Sequence, residues 1–239
     1  MKNTVFLLLS FLLMSTLIFL DSCSTSKKTP TQKEYAGVNF NAPNYERIKD
    51  EVNSNYSEFY YPELLKRFQA VDTTLTLEQV RHFYYGAAML PDYNPYQTDL
   101  SKELKEALEK NDLQQAASII DKQLTKTPTN LRFYLQKTMV NSSLYGEESK
   151  EAEDAFSQFN MLLSAILSSG NGKSTESAIY VTNIADEYGI LSFLGLTPTM
   201  QSLIKEKGEL YDRLELKNNE IGLKTLYFNT TIMQKAFEK

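Results

Sequence analysis

Residues 111–128 read NDLQQAASIIDKQLTKTP, and this stretch decides how the middle of the chain is built. Its apolar residues recur with the period of about 3.6 residues that marks one helix face; they are Leu113, Ala116, Ala117, Ile120 and Leu124. Asp112 followed by Gln115 matches a capping box, and Pro128 cannot continue a helix. We therefore predict a helix that begins after Asp112 and ends before Pro128.

Further helices are predicted on both sides of this stretch. Residues 100–108 carry apolar side chains at helical spacing, and Asn111 is a typical helix stop. Two more helical patterns follow, from 131 to about 146 and over 152–166. Upstream, three helix starts are indicated by an N-cap, a first-turn proline and a capping box; these are Asn44, Pro62 and Thr76 with Gln79.

The turn Asn111-Asp112, the small Ala116 and the closing Pro128 resemble a tetratricopeptide unit. Gly146 lies 35 residues after Asn111, close to the repeat length of roughly 34. Because only about two such units are visible near 100–168, the resemblance implies a packed bundle and no extended solenoid.

The sequence changes character after the GNGKS segment at 170–174. Residues 178–182 are rich in strand-forming side chains, 211–217 alternate apolar and charged residues, and 223–228 read as a return strand. Residues 186–194 fit either a strand or a short helix. The predicted fold class is α+β, with an N-terminal helical, tetratricopeptide-like part packed with a small C-terminal antiparallel sheet.

These elements predict one composite domain over 44–239, helical in 44–168 and mainly stranded in 175–239, with a closing helix at 230–237. The C-terminal part of about 70 residues is too small to bury a sufficient core alone, so we expect it to share the core of the helical part.

The N-terminus predicts export and lipid attachment. Residues 5–20 form an apolar run of 16 residues, shorter than the roughly 20 of a membrane-spanning helix. The run ends in Leu20-Asp21-Ser22-Cys23, which resembles a bacterial lipobox, although Asp21 departs from the usual small or aliphatic residue. We expect a signal peptide over 1–22 and palmitate-type acylation of Cys23. The alternative is an uncleaved anchor with an incidental cysteine.

Residues 23–43 are small, polar and Pro-containing at their start, which is typical of a tether between lipid and domain. Ser24 after the cysteine resembles the pattern for sorting to the outer membrane. The sequence does not indicate whether the protein lies on the periplasmic or the surface face of that membrane. Cys23 is the only cysteine, so the rest of the chain offers no disulfide, thiol nucleophile or cysteine-based metal site.

Composition excludes several classes of protein. A content of 42% hydrophobic residues with 9 Gly and 7 Pro excludes disorder and collagen-like sequence. A net charge of −5 gives no electrostatic footprint for nucleic acid. GNGKS at 170–174 lacks the glycine that a phosphate-binding loop needs at 167, where Leu stands, so we predict a turn and expect no cofactor.

Motifs scattered over the whole body resemble the bacterial domain-of-unknown-function family numbered 4919. They include YYPELL at 60–65, RHFYYG at 81–86, YNPY at 93–96 and GNGKS at 170–174. The resemblance covers about 45–239. It implies an exported bacterial domain, and it implies no activity, substrate or catalytic residue.

Candidate catalytic residues are few. His82 is the only histidine, and no nucleophile-elbow motif accompanies it in the mature chain, so a structural role is the favoured interpretation. Acidic residues at 147–154 fit a solvated helix start. Asp186 and Glu187 follow a strand-like run and remain weak candidates for acid–base chemistry.

Tyrosine is abundant and tryptophan is absent. Nine of the 15 tyrosines lie between 35 and 96. One interpretation is a binding patch around the Pro-rich loop, made of Tyr84, Tyr85, Tyr93, Asn94 and Tyr96. The favoured alternative is that these rings pack the N-terminal helices onto the bundle.

The sequence supports a lipid-anchored envelope protein of unknown biochemical role, whose partners are the membrane and a protein or peptide bound through the helical groove or the Tyr-rich loop. The alternatives are an envelope hydrolase that uses carboxylates with His82, and a glycan-binding lipoprotein.

Overall fold

Helices build the first two thirds of the described protein. The computed structural model describes residues 40–96 and 102–236. The first seven α-helices of these residues are α1 Tyr45–Asn53, α2 Tyr61–Gln69, α3 Leu77–Gly86, α4 Lys102–Glu109, α5 Leu113–Lys126, α6 Leu131–Tyr145 and α7 Lys150–Leu167. A short 3₁₀ helix, Ala87–Met89, directly follows α3.

The predicted signal peptide over 1–22, Cys23 and the tether as far as residue 39 lie outside the described residues. The chain also divides there into two units, Met1–Val38 and Asn39–Lys239, and only the second is described below. Of the helices that the structure describes, none is both long and apolar enough to cross a membrane.

Capping hydrogen bonds confirm three predicted helix starts. The Asn44 side chain accepts a backbone N–H from the first turn of α1. Thr76 and Gln79 form the reciprocal bonds of a capping box before α3. Asp112 accepts the Gln115 N–H at the start of α5. Such caps typically stabilise a helix by about 1 kcal/mol each.

α3 is the central helix of the helical part. It contacts α1, α2 and α7, and every residue from Gln79 to Gly86 is buried. Its Phe83 ring lies 4.6 Å from that of Phe68 on α2. At Gly86 a Cβ would lie 2.8 Å from Val52 on α1, so the missing side chain allows the two helices to approach. A helix buried on all sides belongs to a core.

The predicted helices around 111–128 are present as α4 to α7. Asn111 ends α4 with a left-handed φ of 54°, and Ala116 of α5 is fully buried. α5 packs on α6, and α6 on α7. The tetratricopeptide assignment of these helices stays a prediction.

The C-terminal part contains a sheet of four strands within the described residues, in the order β1-β4-β3-β2. The strands are β1 Ile179–Tyr180, β2 Pro198–Glu206, β3 Glu209–Leu216 and β4 Thr225–Asn229. Helix α8, Ile184–Phe193, lies between β1 and β2 in the chain, and α9, Thr231–Lys235, follows β4. The predicted α+β class is confirmed.

The prediction of a purely antiparallel sheet is wrong at one edge. β2, β3 and β4 are antiparallel neighbours, but β1 pairs with β4 in parallel, Ile179 opposite Phe228. A parallel pair requires a long crossover between its strands. Here α8 and the β2–β3 hairpin provide it. Residues 186–194, for which the sequence allowed a strand or a short helix, belong mainly to helix α8. The Asn183 side chain caps this helix by accepting the N–H of Ala185.

The 170–174 segment is the turn that joins α7 to the sheet. Gly172 has a φ of +68°, which favours glycine, as expected for this turn. Gly170 is required for a different reason, because a Cβ there would lie 2.1 Å from the Ala178 carbonyl oxygen. Only glycine fits at position 170, because the two backbone segments lie too close together for a side chain.

Gly170→Ala is expected to lower the free energy of unfolding by about 2–3 kcal/mol, since backbone must move to admit the methyl group. Urea unfolding measures the change. Gly195→Ala is the matched control, because Gly195 has a φ of +67° but no atom within 4 Å of its Cβ position. It should cost only about 1 kcal/mol. Equal losses in the two variants would contradict the steric argument.

Candidate functional site

Two of the predicted patch tyrosines belong to the core. Tyr84 and Tyr85 on α3 are fully buried, and their rings meet edge to face at 4.9 Å. The Tyr84 hydroxyl donates to Asp186 Oδ2 at 2.7 Å and accepts the Thr182 N–H at 3.1 Å. The Tyr85 hydroxyl donates to the Tyr180 carbonyl at 3.3 Å. Both rings therefore hold the fold together and offer no accessible surface.

His82 connects α3 to α1. Its side chain is buried, and Nε2 lies 2.6 Å from Glu51 Oε2 while Nδ1 lies 2.8 Å from the Glu78 carbonyl oxygen. The ring also stacks on Phe59 at 3.9 Å. Both ring nitrogens therefore already have oxygen partners. These contacts describe a structural histidine.

Asp186 joins three helices. It lies on α8 and is completely buried. Its Oδ2 accepts the Tyr84 hydroxyl of α3, and its Oδ1 accepts the backbone N–H of Leu131, the first residue of α6, at 2.8 Å. Burial raises the pKa of Asp186 to about 7, against these two hydrogen bonds, which favour the carboxylate.

Glu187, the next residue of α8, is close to the sheet. It is fully buried and lies against the carboxyl group of Asp212 on β3, with which it shares a hydrogen bond. Burial raises the pKa of Glu187 well above its ordinary value, and Asp212 on β3 raises it further. Burial also raises the pKa of Asp212, whose Oδ2 accepts from Gln201 at 2.9 Å. Both the burial and the neighbouring carboxyl therefore favour the protonated form of Glu187.

The residues of the hydrolase alternative do not meet. His82 faces α1, whereas Asp186 contacts Tyr84, which leaves α3 about 200° around the helix from His82. Asp186 and Glu187 are closed off from solvent. Within the described parts of the chain, no group of three or more His, Cys, Asp or Glu side chains is placed to hold a metal ion.

The remaining predicted residues lie in the Pro-rich loop at 91–96. Tyr93 donates from its hydroxyl to the Thr182 carbonyl at 2.5 Å, which anchors the loop to the end of β1. The exposed Asn94 accepts the Tyr96 N–H at 3.0 Å, an arrangement that shapes the turn. Tyr96 is 43% exposed. The loop is thus held rigidly, as its prolines predict.

This loop forms one wall of a cleft of about 190 Å³, which we name the loop cleft. Its lining includes Tyr61 and Leu65 of α2, Asp92 to Asn94, the turn at 125–130, and Thr182 with Asn183. Tyr61 Oη and Asn130 Nδ2 are buried and have no hydrogen-bond partner among the described residues. Burial raises the pKa of Tyr61, so its hydroxyl remains able to donate. The loop cleft is thus lined by two residues that each carry a buried polar atom without a partner among the described residues.

Of the eight predicted binding residues, only Tyr93 and Asn94 line the loop cleft, which includes neither His82 nor the 170–174 turn. Sequence reasoning missed Tyr61 and Asn130. Asn130 is recognisable as an N-cap, and its Oδ1 does accept the Phe133 N–H at 3.1 Å. No local pattern places that cap beside α2.

The helical groove, the other predicted binding surface, contains a cavity of about 400 Å³ between α5, α6 and α7. Several of its charged and amide groups already have partners. Lys137 lies 2.8 Å from Asp121, and Asn141 donates to the Glu151 carbonyl at 2.9 Å. The loop cleft, with unsatisfied groups, is therefore the better candidate site.

Fold and cleft together define an α+β domain with a small cleft beside its Pro-rich loop. Residues 46–239 match the family model described as Domain of unknown function (DUF4919), and the chain belongs to this family. The family resemblance expected from the scattered motifs is thus confirmed. Comparison with curated proteins and with solved structures gave no match.

The buried carboxyls of α8 make the stability depend on pH. Because the pKa of Asp186 is raised to about 7 and that of Glu187 is raised as well, the unfolded chain releases these protons first as pH rises. Their contribution is complete below about pH 4 and is lost as pH rises through the folded pKa values. We expect Glu187→Gln, which stays neutral, to lose less stability than the wild type between about pH 5 and pH 8.

Urea unfolding at a series of pH values measures this difference. Glu220→Gln is the control, because Glu220 is exposed; its curve should run parallel to that of the wild type. A Glu187→Gln curve that also runs parallel would show that Glu187 is already charged in the folded protein.

Proposed function

We propose that this protein is a lipid-anchored binding module of the cell envelope that holds a protein or peptide segment in the loop cleft. The observation that carries the proposal is the pair of buried, unsatisfied groups at this cleft, Tyr61 Oη and Asn130 Nδ2. A buried polar group without a partner costs about 1–3 kcal/mol, and a ligand that supplies the partner recovers that cost.

A peptide segment supplies the complementary groups. Both Tyr61 Oη and Asn130 Nδ2 can donate, and an extended peptide presents a carbonyl acceptor at every residue. Asp92 also lines the cleft and is exposed, so it can accept a peptide N–H. The cleft is preformed, because Tyr93 fixes the loop to Thr182 and Asn130 caps α6. A preformed site loses little entropy on binding.

The lipobox-like sequence before Cys23 supports the attachment to a membrane. Several acyl chains on one cysteine make a stable anchor, since each buried CH₂ contributes about 0.8 kcal/mol. Such an anchor would keep the loop cleft among envelope proteins.

Acylation of Cys23 is tested by metabolic labelling with an alkyne analogue of palmitate. We expect label in the wild type and none in Cys23→Ala, because this is the only cysteine. Ser22→Ala keeps a small residue before the cysteine and should stay labelled. Label that persists in Cys23→Ala would refute the lipid anchor.

The loop cleft is tested by a photo-crosslinking amino acid placed at Asn94 in living cells. We expect it to capture an envelope protein. Tyr61→Phe combined with Asn130→Asp should reduce this crosslink about tenfold, because both unsatisfied donors are removed. The aspartate keeps the oxygen that caps α6, so the fold is retained.

A crosslinker at Lys224, which is exposed and does not line the cleft, is the control position. Equal capture from Asn94 and Lys224 would contradict a specific site, as would capture that the double variant leaves unchanged. Tyr61→Phe alone should leave the stability of the unbound protein unchanged or raise it by about 1 kcal/mol.

A glycan ligand is the second candidate, and the exposed ring of Tyr96 beside the cleft loop favours it. In that case a glycan array would bind the protein without a protein crosslink. Binding should then be lost in Tyr96→Ala. Array binding that survives the loss of both Tyr93 and Tyr96 would refute this assignment.

A further inference from the structure

A third cavity lies between α6 and α8, with a volume of about 470 Å³. We name it the α6–α8 groove. Most of its lining is apolar, including Leu135 and Val140 of α6, Leu191 of α8 and Leu196 beyond it. It shares no lining residue with the loop cleft, so the inference below is independent of the proposed function.

The groove contains a cation without a counter-ion. Arg132 lines it, is half-buried, and pairs with no carboxylate among the described residues. Burial lowers the pKa of its guanidinium, and only Tyr188 acts in the opposite direction. A partly desolvated charge without a partner is costly, and a bound anion would offset that cost. Arginine binds a carboxylate with two parallel hydrogen bonds.

One turn further along α6, Gln136 offers the complementary group. Its Oε1 is buried and has no donor among the described residues. Residues four apart on a helix are neighbours, with about 5–6 Å between their Cβ atoms. The groove therefore presents a guanidinium that lacks an anionic acceptor, and beside it lies the side chain of Gln136, whose buried amide oxygen lacks an N–H donor.

The groove is held in shape from both sides. A Cβ on Gly189 of α8 would lie 3.3 Å from the Arg132 backbone nitrogen, so α8 packs directly on the first turn of α6. Next to this contact, the Asp186 side chain of α8 accepts the backbone N–H of Leu131 of α6. The Tyr188 hydroxyl donates to Gln201 of β2 at 2.8 Å, which fixes that ring in the wall. A site fixed in this way is preorganised.

We propose that the α6–α8 groove binds the free C-terminal end of a polypeptide whose last residue is apolar. The terminal carboxylate pairs with Arg132, the backbone N–H of the last residue donates to Gln136 Oε1, and its side chain fills the apolar part of the groove. A fatty acid would match the cation and the apolar lining, but it would leave Gln136 without a donor. The peptide end satisfies all three features.

The test uses the full chain, purified in detergent, on immobilised hexapeptides that end in leucine with either a free carboxylate or an amide. We expect binding to the free carboxylate and at least about tenfold weaker binding to the amide. Peptides that end in aspartate should bind as weakly as the amides. This comparison needs no variant, so it stands even where a variant fails to fold.

Arg132→Met keeps an apolar stem and removes the charge, and Gln136→Met removes the acceptor; each should weaken binding by about tenfold. Lys137→Met is the matched control, since it removes a charge from the same helix outside the groove. Equal binding of acid and amide overturns the proposal. Binding of octanoate that depends on Arg132, without any peptide binding, also overturns it in favour of a fatty acid.

Discussion

The buried carboxylate of Asp186 connects the two halves of this fold. It lies on α8 of the C-terminal part and accepts hydrogen bonds from Tyr84 of α3 and from the first N–H of α6. Tyr84 in turn accepts the Thr182 N–H after β1, so one small network fixes three helices and a strand end. Its loss would leave several buried groups unsatisfied at once. Desolvation outweighs these bonds, which is why the Asp186 pKa rises to about 7.

The position of Asp186 also determines what the neighbouring acid can do. α8 lies between the helical part and the sheet, and its consecutive acids are about 100° apart around the helix, so Asp186 contacts α6 while Glu187 lies towards Asp212. Neither side opens to solvent. Two adjacent carboxyls with raised pKa values would suggest acid–base chemistry in a cleft. Here they are closed inside the core, and their effect falls on stability and its pH dependence.

Helix starts were readable from the sequence because caps act locally, as Thr76 and Asp112 do. β2 was missed because its register depends on a two-residue turn, Lys207-Gly208, in which both φ angles are positive. That conformation is usual for a tight hairpin, but lysine at its first position gives a weaker signal than asparagine. α8 resisted assignment because it is buried on both sides, which removes the helical period. Whether a tyrosine is buried, like Tyr84, or lies in the loop, like Tyr93, depends on tertiary contacts. A local sequence pattern does not contain these contacts.

The first turn of α6 shows why satisfied and unsatisfied polar groups carry different information. Its Leu131 N–H is bound by Asp186, which fixes the backbone. Asn130, just before it, lines the loop cleft and has an amide nitrogen without a partner among the described residues. Arg132, just after it, lines the α6–α8 groove and pairs with no carboxylate among those residues. Tyr45 Oη is also buried without a partner among the described residues, and it lines neither cavity. An unsatisfied group alone therefore does not mark a site. What distinguishes Asn130 and Arg132 is that each lines a cavity, and this position is the reason for the two ligand proposals.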